Sequence, residues 1–129
     1  MRSQGFRVSA CGRPVVYFLV GMLGVATARA QWPLIPSGAS WSYLADGTQP
    51  GSSWVIPEFN EVGWSSGAAK LGFGNDGEAT VIGNAANQYI TFYFRNQFSV
   101  PSTSGVVRLV ARMVVDDGAV IYLNTNEVF

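Results

Sequence analysis

Two short stretches of this sequence place oxygen-bearing side chains close enough to share a cation. Asp116-Asp117-Gly118 sets adjacent carboxylates between two runs of apolar and β-branched residues, and "GNDGE" (74 to 78) gathers Asn75, Asp76 and Glu78. Calcium takes about six to eight oxygen ligands, carboxylates first among them, so Asp76, Glu78, Asp116 and Asp117 are the candidates for a calcium site. Neither stretch has the full spacing of a calcium loop. Asp, Asn and Gly are also the residues tight turns use for backbone reasons, so a plain turn stands beside the metal reading at both places.

Trp41 and Trp54, with Asp46 nearby in sequence, suggest a second chemistry. An indole face stacks on the apolar face of a pyranose while a carboxylate accepts from the hydroxyls. Trp41, Asp46, Trp54, Asp116 and Asp117 are therefore the candidate sugar-binding residues, with Tyr93 and Tyr122 as further exposed aromatics. Tryptophan also supplies core area, which is the competing reading for Trp41 and Trp54 and the leading one for Trp64. Arg95 and Arg112 fit ion pairs on a sheet face better than an anion site.

Some chemistry is excluded. The chain has no histidine and a single cysteine, Cys11, so a Ser-His-Asp triad, a Cys-His pair, a His/Cys zinc site and an internal disulfide cannot be built from it. Eight carboxylates guarantee some neighbours, but nothing selects two with the environments that glycoside hydrolysis needs. The reading is a non-catalytic chain.

The amino-terminal thirty residues have the order of a secretory signal peptide. Arg2, Arg7 and Arg13 precede a 12-residue apolar run from Val15 to Ala26, and Ala28-Arg29-Ala30 follows. The run is shorter than the roughly 20 residues that cross a bilayer. Cleavage near Ala30 predicts a secreted protein, extracellular or periplasmic, and Cys11 lies before the run, where it cannot mark a lipidation site. Cleavage removes four of the eight basic residues and no acidic one, which leaves a net charge of −4. Such a surface repels phosphate backbones and excludes nucleic acid as a partner.

What must position the candidate residues is a set of short strands. Gly, Ser, Pro, Asn and Asp punctuate runs of aromatic and β-branched residues, and no stretch keeps helical spacing for three turns, so the fold class is all-β. "QYITFYFRNQFSV" (88 to 100) alternates Ile90, Phe92, Phe94, Phe98 and Val100 against Tyr89, Thr91, Tyr93, Arg95 and Gln97. Further strands are expected over 41–44, 53–56, 106–115 and 119–123, with turns at 101–105, 116–118 and 124–126. Residues 70–88 read as a long glycine-rich loop. The chain stops at Phe129, directly after a hairpin turn, which predicts a domain truncated at its C-terminus and continued in a larger polypeptide.

"FNEVGW" (59 to 64), "YFRNQFSV" (93 to 100) and "DDGAVIYLNTNEV" (116 to 128) resemble, in this order, the galactose-binding-like jelly roll of β-galactosidase-type glycoside hydrolases and of many large secreted bacterial proteins. "WSYLADG" (41 to 47) is similar to the opening of the version appended to secreted multidomain proteins. The resemblance covers roughly residues 38 to 128. It implies an antiparallel β-sandwich of jelly-roll type over 41–129, after a leader (1–30) and a short linker (31–40). Asp116-Asp117-Gly118 also resembles the Asp-Asp-Gly of the protective-antigen-type lectin-like domain, whose adhesin members use the two aspartates for calcium and sugar.

Two positions depart from the family pattern: Asn60 replaces its Asp, and Thr125 replaces the Gly of its Asn-Gly turn. A two-residue turn with positive φ at both centres would be strained at Thr125, and Thr125→Gly would then stabilise the chain. The expectation is a carbohydrate-binding or adhesive module within a larger extracellular protein. The alternative is a structural accessory domain with no ligand.

Overall fold

The computed structural model describes residues 4–12, 21–22, 33–83, 86, 89–104, 106 and 108–129, the first two segments as backbone. The elements in chain order are β1 (Gln4–Gly12), β2 (Gly21–Met22), β3 (Ser40–Leu44), a 3₁₀ turn (Ser52–Val55), β4 (Ser65–Ala68), β5 (Leu71–Gly72), β6 (Thr80–Val81), β7 (Phe92–Val100), β8 (Leu109–Val110), β9 (Ala119–Leu123) and β10 (Asn126–Glu127). The fold is all-β. A six-stranded sheet in the order β10-β9-β1-β7-β3-β4 is antiparallel throughout, and two further pairs form, β2-β8 antiparallel and β5-β6 parallel. No helix among the described residues is long and apolar enough to cross a membrane.

The alternation in β7 makes the core. Phe92, Phe94, Phe98 and Val100 are buried with Trp41 of β3, Leu71 of β5, Ile121 of β9, and Ile35, Ala69 and Ile82 from the connections. Each large apolar side chain buried in this way contributes about 1.5–3 kcal/mol. Ile35 belongs to the segment expected to be a linker, and it is packed into the core. Ile90 was expected on the same oily face and is instead 91 % exposed. The strand begins two residues later, and Tyr89 packs edge-on against Phe92, with ring centroids 6.1 Å apart. Tyr89 lies so close to Gly47, which has φ 82°, that a Cβ there would meet the ring at 2.6 Å.

Two expected strands are replaced. Residues 53–56 were read as extended, yet Trp54 N–H donates to Gly51 O and Ile56 N–H to Ser53 O, closing a 3₁₀ turn. Pro57 then holds Ile56 extended, at φ −73° and ψ 148°. Of the strand expected over 106–115, only Leu109–Val110 pairs among the described residues, with β2; 111–115 form no ladder. Valines on both faces of that segment gave it strand propensity without a partner to pair with.

The turns follow their chemistry. Asp117 takes φ 67° in the Asp116-Asp117-Gly118 turn, and both aspartates are exposed. In the β9-β10 hairpin, Leu123 pairs with Asn126 across a two-residue turn in which Asn124 has φ 56°. Thr125 is not among the positive-φ residues, so the strain expected at it is absent. Asparagine, which tolerates the left-handed region, occupies the position that demands it.

Candidate functional site

The register of the main sheet separates its two faces by residue parity. Ser42 lies opposite both Ser66 and Arg95, whereas Tyr43 lies opposite Phe94. Trp41 and Tyr43 therefore share the core face with Phe94, and Ser40, Ser42 and Ser66 share the other face with Arg95 and Gln97. Segment 52–64 crosses that second face and covers part of it. Trp54 packs edge-on against Tyr93 and Tyr122, with centroids 5.1 and 5.6 Å away.

Arg95 holds the segment down. Its Nε donates to Glu61 Oε1 at 2.9 Å, Nη1 to the Trp54 carbonyl, and Nη2 to the Ile56 carbonyl at 3.0 Å. The guanidinium also stands over the Phe59 ring, 5.2 Å from its centroid. A buried charge is costly unless paired and hydrogen-bonded, and the planar fork meets that demand through one carboxylate and two carbonyls. Asn60 contributes locally: its Oδ1 accepts from Val62 N–H at 3.0 Å, setting the turn that ends with Trp64 N–H on Glu61 O.

Beside this cover the face is open. A polar recess of about 240 Å³ is lined by Ser40 and Ser42 of β3, Ser66 of β4, Arg95, Asn96 and Gln97 of β7, and Glu61 of the covering segment. Ser40 and Ser66 share a hydroxyl hydrogen bond of 3.0 Å, and Asn96 Nδ2 donates to Ser40 O at 2.9 Å while its Oδ1 accepts from Gln97 N–H at 2.7 Å. Hydroxyls, carboxamides, a carboxylate and a guanidinium converge on one small volume. Such a lining both donates to and accepts from hydroxyl groups. A second hollow, of about 280 Å³ between Leu34, Phe98, Val106, Leu109 and Leu123, is apolar.

The residues singled out in the sequence lie elsewhere. Trp41 is 1 % exposed in the core and Trp54 is 8 % exposed beneath its own segment, so neither offers an open indole face to a sugar. Asp46 is exposed and accepts from Thr48 N–H at 2.9 Å and Thr48 Oγ1–H at 2.6 Å. These two bonds, the hydroxyl first, hold its carboxyl below the usual aspartate range. Asp76 receives Lys70 Nζ at 2.5 Å on both its carboxylate and its carbonyl, and its N–H donates to Glu78 Oε2 at 2.9 Å. A lysine ammonium thus stands where calcium was expected. No group of three or more carboxylates converges among the described residues, so Asp76, Glu78, Asp116 and Asp117 form no common cage.

Sequence reasoning passed over Ser40, Ser42, Ser66 and Gln97. Alternating serines in Ser40-Trp41-Ser42 were a signal that β3 has one polar face, but only the strand register shows that Ser66 and Gln97 join it.

No family model matches this chain, and no curated protein or solved structure is detectably similar to it.

Proposed function

We propose that this chain is a secreted, non-catalytic carbohydrate-binding or adhesive module, a β-sandwich of galactose-binding-like jelly-roll type carried by a larger extracellular protein. The observation that carries the reading is the polar recess, where Ser42, Ser66 and Gln97 lie beside the fixed Arg95-Glu61 pair. A sugar presents vicinal hydroxyls that donate and accept at once, and this lining offers both partners on a sheet that does not have to rearrange. Glu61 Oε1 is held by the buried Arg95 guanidinium, which fixes the carboxylate beside the recess.

The test is a glycan array read with the full chain, followed by titration calorimetry of any hit. Binding lost in Ser42→Val and Gln97→Ala but kept in Asp116→Asn/Asp117→Asn supports the recess. The reverse pattern would move the site to the Asp116-Asp117 turn and return calcium to the account.

The alternative is a structural accessory domain, and one set of observations favours it. Trp41, Trp54, Lys70-Asp76 and Arg95-Glu61 are all engaged in core or loop anchoring. A folded chain that binds no glycan and does not respond to calcium in thermal unfolding supports this reading.

A further inference from the structure

The segment read as the leader's basic end, Gln4–Gly12, lies in the sheet as β1 and fills the lane between β7 and β9. It pairs along its whole length with Phe92–Val100 and, over Val8–Gly12, with Ala119–Leu123. The two neighbours agree on parity. Phe6, Val8 and Ala10 stand at register positions of the core face, opposite Phe98, Asn96 and Phe94, with Ala10 also opposite the buried Ile121, while Gln4 and Gly12 take the two end positions of that face, opposite Val100 and Phe92. Arg7 and Ser9 stand opposite Gln97 and Arg95, on the polar face. A slip of one residue would exchange the two sets and bring arginine and serine to the core rows. A leader's basic end requires charge but not period-two alternation, so this match is a property of a strand. The lane is also indispensable to the sheet order: β9 has β1 and β10 as its neighbours, so the β9-β10 hairpin joins the sheet through β1.

We infer that the lane between β7 and β9 is a strand-acceptor site, filled in the intact chain by its own segment Gln4–Gly12. Cleavage near Ala30 frees that segment from the domain. The lane then takes an extended peptide antiparallel to both neighbours, apolar at alternate positions facing Phe94, Phe98 and Ile121. Main-chain hydrogen bonds to two strand edges supply the attraction, and the alternate pockets supply the selection. The inference rests on the secreted reading, through cleavage near Ala30, and is independent of the recess and of any sugar.

Two measurements test it. Cys11 is the sole cysteine and lies opposite Val120. Partners in an antiparallel ladder have Cα atoms about 4.5–5.5 Å apart, within disulfide range. In the full chain, Val120→Cys should cross-link to Cys11 on mild oxidation at least about tenfold more than Gln97→Cys, whose position faces Arg7 about 13 Å along the strand. Equal cross-linking of the two variants, or none in Val120→Cys, overturns the placement. For the acceptor role, the full chain carries a protease site at residue 30 and is cut after folding, then mixed with a fluorescent peptide of the sequence of residues 4–12. Incorporation into the cut chain and not the uncut chain supports the inference. Equal incorporation into both, or none into the cut chain, overturns it.

Discussion

Two cations anchor two loops in this molecule, and they do so by different physics. Arg95 pins segment 52–61 to the sheet through three separate acceptors, with its side chain wholly buried and Glu61 24 % exposed. Lys70 pins residues 73–78 through the carboxylate and carbonyl of Asp76, whose side chain is 79 % exposed. A guanidinium fork fixes direction, with each of its three nitrogens bonded to a different acceptor, whereas an ammonium is a compact point charge. The first anchor is thus part of the interior. The second is a buried stem that reaches water through its partner.

The largest effect is expected at Arg95. Arg95→Met leaves two carbonyls and Glu61 without their donor, and breaking such a pair costs about 3–5 kcal/mol. Arg95→Lys should recover less than half of that loss, because a point charge cannot meet three diverging acceptors at once. Urea unfolding followed by tryptophan fluorescence measures both, with Trp54 as a reporter under the segment that is released. A lysine variant as stable as the original would show that charge, not fork geometry, is what the anchor uses.

A hairpin with no cation sharpens the contrast. Asn124 alone carries the left-handed conformation of the β9-β10 turn, so Asn124→Ala should cost about 1–2 kcal/mol. Thr125→Gly, which would relieve strain if Thr125 shared that conformation, should leave the melting point unchanged or lower it through the added freedom of the unfolded chain. Scanning calorimetry of the two variants decides between them. Lys70→Met comes next: it keeps the buried stem and returns Asp76 to water, so about 1 kcal/mol or less should be lost. A loss as large as that of Arg95→Met would make the two anchors equivalent.

The same contrast explains what the sequence revealed. The period-two run through Phe92, Phe94, Phe98 and Val100 announced the core, since burial repeats with the pleat. Turns at 116–118 and 124–126 were legible because Asp, Asn and Gly have backbone reasons to be there. The 3₁₀ turn at Ser52–Val55 was not, because what fixes it is a guanidinium forty residues downstream taking the Trp54 and Ile56 carbonyls. Tryptophan could not declare itself core or platform from type alone. Likewise the recess depends on Ser40, Ser42, Ser66 and Gln97 coming into register, and small polar residues carry no hydrophobic period to signal that.

The smallest effect is expected at an exposed loop that, among the described residues, is closed by hydrogen bonds rather than by an ion pair. Asp46 closes its turn with Thr48 alone, accepting from the hydroxyl and the N–H of that residue, and the carboxyl is held below its usual range in the folded chain. A carboxylate whose folded value is depressed stabilises the fold above its unfolded value, and that contribution disappears as pH falls through the folded one. Thr48→Val removes the larger of the two bonds, so the Asp46 titration followed by carboxyl NMR should move upward toward the ordinary aspartate range. The acid-side loss of stability should shrink with it. Because the turn is fully exposed, the change should be confined to residues 46–48 and leave the Arg95-Glu61 anchor untouched. A shift that propagated to Glu61 would mean that residues 41–48 and the covering segment move as one body.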